Sequence, residues 1–199
     1  MINDEIKEKN LLLFKKKLEE IGISYENEDF DLKLKNATFS ITNENGLAYE
    51  GSLLNVILRI LTPFAIKIND CLPENIKVDK NSLIKVCLLS HISKCEMFEP
   101  NDNEWEREKR GLLFKYTKSN VALKMGMKSL ILSQELGIKF TPEEIEAITI
   151  IDRRLDDDHR TEQAQIRFCS SVGNCRLQFS WKPSVLCRKA LLRNLSQAL

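Results

Sequence analysis

Both histidines of this 199-residue chain stand among groups that can do chemistry. His91 lies in Ser90-His91-Ile92-Ser93-Lys94, which sets a hydroxyl, an imidazole and an ammonium side by side at the end of an apolar segment. If that segment end faces a pocket, the pocket offers a titratable ring next to a fixed positive charge. The same residues also suit the polar C-terminus of a core helix, where a histidine favours the helix dipole. His159 closes Asp156-Asp157-Asp158-His159, a run of ligand types for a divalent metal. It reads equally as a solvated acidic loop, because consecutive carboxylates point in different directions.

The element that must carry Ser90 and His91 begins at Asp79. Leu83, Ile84, Val86, Cys87, Leu88 and Leu89 recur at helical spacing, and Asp79 or Asn81 can cap the start with a side-chain oxygen. A helix apolar on most faces is packed on several sides, so this one is expected at the centre. Upstream, residues 4–21 form an amphipathic pattern (Leu11, Phe14, Leu18) that Gly22 can stop. Asp31–Lys35 and Thr38–Thr42 alternate like short strands. Ser52–Leu72 reads as an apolar helix kinked or divided near Pro63, which lacks an amide donor. Trp105–Glu108 and Leu112–Tyr116 flank Lys109-Arg110-Gly111 and read as a β-hairpin with a left-handed glycine. Asn120–Leu136 is a helix stopped by Gly137. Thr141-Pro142-Glu143-Glu144 starts another: a threonine cap, proline at the first position and a glutamate that returns the bond.

Composition narrows the class. The net charge is +1, so no global field draws the chain to nucleic acid or membrane. No uninterrupted apolar run reaches the roughly 20 residues that span a bilayer. The start, MINDEIKEKN, is acidic and polar, unlike a signal peptide. Six cysteines without a C-x-x-C pair favour reduced thiols and a cytoplasmic setting over a disulfide framework.

Several segments together resemble the small bacterial and phage branch of the HD-domain metal-dependent phosphohydrolases. The central helix with its Leu88-Leu89-Ser90-His91-Ile92-Ser93-Lys94 end is similar to that family's core helix. Tyr49-Glu50-Gly51-Ser52-Leu53-Leu54 is similar to a segment ahead of its first metal histidine. Met97-Phe98-Glu99-Pro100-Asn101-Asp102-Asn103-Glu104-Trp105 and the stretch Arg110–Tyr116 match a hairpin that covers the pocket mouth there, and Met125-Gly126-Met127-Lys128-Ser129 resembles its H-G-E-K-S. The resemblance covers roughly residues 46–158. It implies an HD-like helical core of about five helices with a small hairpin, hence an all-α class.

It also implies lost ligands. The family's histidine positions fall on Val56, Met125 and Arg153, and its His-Asp pair falls on Ser90 and His91. Valine offers no lone pair, and a guanidinium stays protonated. No acid follows Glu162 to supply the last ligand. One imidazole does not make a metal site. The expectation is a catalytically inactive protein with a binding or regulatory role and no cofactor. The residues left around His91 and Ser90 (Lys94, Lys128, Asp152, Arg153) would form a cationic pocket for a nucleotide or phosphate. In the other reading those charges merely pair with nearby acids such as Asp152. An alternative is a metal-dependent phosphohydrolase using manganese, iron or nickel in a rearranged site of His91, Asp152, Asp156–Asp158 and His159.

Three regions follow: 1–45, a helix and an irregular segment; 46–160, the HD-like core; and 161–199, a tail. From Gln163 on the tail holds six basic side chains and no acidic one, which leaves about −5 on the preceding 162 residues. Leu191, Leu192, Leu195 and Leu199 suit an amphipathic helix. The tail fits either a basic extension for a protein or nucleic-acid partner or a divergent, frame-shifted end retained because its apolar residues pack.

Overall fold

The structure, a computed structural model, describes residues 3–43, 46–118 and 123–152. The tail, Arg153 and the Asp156–His159 run lie outside the described residues. What is described is mostly helical, with one small two-stranded antiparallel sheet.

Helix α1 (Asp4–Glu20) is capped by Asn3, whose side chain accepts the Ile6 amide, and it ends at Gly22 as its sequence predicts. It buries Leu11, Phe14 and Leu18. Helix α2 (Glu28–Asn36) occupies the stretch expected to hold a strand. Asn27 accepts the Phe30 amide at 2.9 Å, three acids sit in the first turn, and Phe30 and Leu34, one turn apart, are buried. Those helix-specific contacts outweigh a five-residue polar–apolar alternation. Of the strand expected over Thr38–Thr42, only a single bridge from Thr42 to Leu112 forms.

Ser52–Val56 (α3) passes through a π turn, Ile57–Leu61, into Thr62–Asp70 (α4) without a break. The Thr62 amide reaches back five residues to the Ile57 carbonyl. Pro63 has no amide for the Arg59 carbonyl, and the wider turn just before it accommodates the misfit instead of dividing the helix. An 18-residue stretch of this helix has a mean hydropathy of 1.3, which meets the length and composition of a membrane span, yet 56% of that stretch is buried inside the fold.

Helix α5 (Lys80–Leu89) is the centre. Asp79 caps it by accepting the Ser82 amide at 2.9 Å. Leu88 and Leu89 belong to one apolar cluster, with Leu11, Phe14, Leu34, Leu53 and Ile57. Leu83, Val86 and Cys87 belong to a second, with Ala65, Leu130, Ala147 and Ile148. Residues before and after position 45 thus share a core.

A short helix α6 (Lys94–Met97) leads into β1 (Phe98–Pro100), which pairs antiparallel with β2 (Phe114–Tyr116). Between them lies helix α7 (Glu104–Arg110), so Trp105–Glu108 is helical rather than the first arm of a hairpin. Asn103 caps it, acids fill its first turn and bases its last, and Glu106 meets Arg110 at 3.6 Å. All three favour a helix through its dipole and caps. Gly111 ends it in the left-handed conformation expected there. Helices α8 (Met125–Glu135) and α9 (Pro142–Thr149) follow, with a 3-10 turn at Ile150–Asp152. The predicted capping box at Thr141 and Glu144 is present in both directions.

Candidate functional site

At Leu89 helix α5 stops, and the chain turns through Ser90–Ser93 before α6. Ser90 is buried, and its Oγ lies 2.8 Å from His91 Nδ1. The imidazole tilts against the Phe39 ring at 5.7 Å between centroids. Burial, and then the Lys94 charge, push the His91 pKa down to about 3. The ring is therefore neutral across the physiological range. Lys94 Nζ donates to the Phe39 carbonyl at 2.8 Å and stands 3.6 Å from that ring's centroid. Phe39 is thus held between the histidine and the lysine.

Ser93 ties this corner to α8. Its Oγ donates to the Met125 carbonyl at 3.0 Å and accepts from Ser129 Oγ at 2.9 Å. Next to it Gly126 lies against α9, where any Cβ would overlap the Ile148 carbonyl oxygen. Of the Met125–Ser129 motif, then, the glycine and the serine are spent on helix packing.

The corner opens on a cavity of about 410 Å³ lined by Lys94, Met97, Phe98, Tyr116, Leu123, Lys124 and Met125. Phe98 and Tyr116 face each other across the strand pair, edge to face at 5.2 Å. Tyr116 is 62% exposed. Lys124 is the cap residue of α8 and makes no side-chain cap bond. The cavity therefore combines two cations, an aromatic wall and two thioethers, an arrangement suited to an anionic group attached to a flat apolar one.

A larger cavity, about 470 Å³, lies at the opposite end of α5, against Lys85, Lys139 and Glu144. Its one acid is already saturated. Glu144 accepts from Ser82 Oγ at 2.8 Å, Lys85 Nζ at 2.7 Å and the Thr141 amide at 2.9 Å. Those bonds join α5 to α9, and for that reason the smaller cavity is the better site.

Of the described residues expected to form the cationic pocket around His91, Lys94 alone lines the smaller cavity. Ser90 and His91 bond to each other beneath it. Lys128 is half-buried on α8 and does not line it. Asp152 falls in the 3-10 turn after α9, and Arg153 lies outside the described residues. Val56 is a buried core residue, and Asn55 donates to the Tyr49 hydroxyl at 3.0 Å. Met125 lines the cavity, whereas Met127 is 43% exposed and does not. Among the described residues no group of three or more His, Cys, Asp or Glu is placed to hold a metal ion. Lys124 was not foreseen; Phe98 and Tyr116 lie in the stretches expected to cover the pocket mouth, but not as a facing pair. The strand pairing of Phe98 with Tyr116 was the missing signal, hidden while the first arm was placed at Trp105. No family model matches the sequence, nor does any curated protein or solved structure.

Proposed function

We propose that this chain is a binding protein on an HD-like helical core, with no hydrolytic activity, that holds a nucleotide or related phosphate-bearing small molecule. The observation carrying this reading is the cavity where Lys94 and Lys124 stand beside the Phe98–Tyr116 pair. An ammonium attracts phosphate oxygens, and an exposed tyrosine face takes a base by stacking. Hydrolysis in the family it resembles requires a metal to activate water. In that resemblance Val56, Met125, Arg153 and the Ser90–His91 pair stand at the ligand positions, and His91 as a single imidazole does not make a metal site. The thiols of Cys87 and Cys95, pushed up to about 12 chiefly by burial, are inert packing groups suited to the cytoplasm.

Titration calorimetry with a panel of nucleoside mono-, di- and triphosphates, inorganic phosphate and a nucleoside tests the reading. At least one nucleotide should bind, and Lys124→Ala should weaken it by about 1.5–3 kcal/mol, the worth of one charged hydrogen bond. Lys124 is exposed and bears no packing role, so loss of fold does not confuse the result. Absence of heat with every nucleotide and with phosphate sinks the proposal.

A further inference from the structure

With the cavity beside Lys94 and Lys124 taken as a nucleotide site, on which this step depends, we propose that it selects a polyphosphate chain. The ligand is a nucleoside di- or triphosphate rather than a monophosphate, and Lys128 and Lys118 complete its grip. Lys128 does not line the cavity, yet it stands on the side of α8 that does. It follows Lys124 by four residues and Met125 by three, so the three share one stripe of the helix. Gly126, two residues before Lys128, is about 200° away around the helix and lies against α9 on the far side. Helical side chains lean toward the N-terminus, so the Lys128 stem runs back over the turn of Lys124 and Met125.

Lys118 comes to the same place from the strands. The Thr117 amide donates to the Met97 carbonyl at 2.9 Å, which carries the β1–β2 ladder one residue past Tyr116. Alternate side chains of a strand share a face, so Lys118 stands on the face of Tyr116, a wall of the cavity.

Among the described residues Lys118, Lys124 and Lys128 enter no ion pair. Residues 119–122, between strand and helix, are uncharged. The acids of α6 and β1 are engaged elsewhere: Glu96 meets Lys33 at 2.8 Å and Glu99 meets Lys115 at 3.6 Å. Glu135, the acid of α8, lies two turns beyond Lys128. Lys124 and Lys128, four apart on one helix, repel each other. A monophosphate carries about −1.5 to −2 at neutral pH, which Lys94 and Lys124 together already match. The other two ammoniums gain a partner only when more phosphoryl groups follow. Along the α8 axis Lys124 and Lys128 are about 6 Å apart, within the span of a di- or triphosphate. A cavity of about 410 Å³ has the size of a small-molecule site, which favours a free nucleotide over a polynucleotide strand.

Titration calorimetry of the full chain with the mono-, di- and triphosphates of each common nucleoside, free of magnesium, reads the phosphate count. Affinity should rise with each phosphate, and the triphosphate should bind at least about tenfold tighter than the monophosphate. Lys128→Ala should weaken the triphosphate about tenfold and leave the monophosphate within about twofold. Lys128→Arg should keep the preference. Alanine is a strong helix former, so the circular dichroism of Lys128→Ala should not change; if it does, the wild-type ranking decides alone. A monophosphate bound as tightly as the triphosphate, or a Lys128→Ala that weakens both alike, overturns the inference and leaves the nucleotide site standing. Tighter binding of a single-stranded oligonucleotide than of the triphosphate also overturns it. Silence with every phosphate compound removes the site itself, and the phosphate count with it.

Discussion

His91 shows how position decides what a reactive residue does. Its sequence neighbours suggest a pocket group, but Ser90 and Phe39 hold it as a half-buried neutral ring. That state has a cost in acid. The folded pKa, about 3, lies below the ordinary 6.5, so the unfolded chain takes up its proton first. The histidine's contribution is complete above about pH 6.5 and drains away toward pH 3, at about 1.4 kcal/mol per unit. Asp102 and Glu143, whose carboxyls are held below their usual range by Lys115 and by backbone amides respectively, act only at lower pH. Between pH 6.5 and 5 the wild type should therefore lose about 1–2 kcal/mol relative to His91→Asn, measured as the shift in urea midpoint. Parallel curves would show that the ring titrates freely. Gly126 is the second decisive residue. Gly126→Ala must separate α8 from α9 and should cost about 2–3 kcal/mol, seen as a lowered thermal midpoint. An unchanged midpoint would mean that the helices do not pack as closely as described.

Among the elements, legibility follows the chemistry of helix ends. Helices α1, α5 and α9 could be read because Gly22, Asp79 and the Thr141–Glu144 box each have one structural use. Helices α2 and α7 were misread as strands because a five-residue window fits a period of two as well as a turn. Their true signals lay outside that window, in Asn27 and Asn103. Lys124 escaped notice for a related reason: with the helix start placed at Asn120, a cap residue looked like one more surface lysine. Glu144 was legible as a cap but not as the joint between α5 and α9. The partners that make it one, Ser82 and Lys85, are about 60 residues away in sequence. The carboxylate is 3% exposed and Lys85 15%. Glu144→Gln should accordingly cost about 2–4 kcal/mol, since it strands a largely buried ammonium. Chemical denaturation will measure it, and a loss under about 0.5 kcal/mol would place the pair in solvent.

At the scale of the whole molecule, two apolar clusters meet on α5; one cavity borders the first turns of that helix, and the other lies beyond its C-terminal end, along α6 and the strand pair. The end whose charges are mutually bonded holds the fold together. Beyond the other end, the cavity lined by Lys94, Lys124 and the Phe98–Tyr116 pair is where we propose the ligand binds. Phosphorus NMR of a nucleoside triphosphate mixed with equimolar protein tests binding and turnover in one sample. Shifted or broadened phosphate lines that keep their integrals over many hours are expected, with lines restored toward those of free nucleotide when Lys94 and Lys124 are both replaced by alanine. Lines identical to free nucleotide, or a growing inorganic phosphate signal, would contradict this expectation.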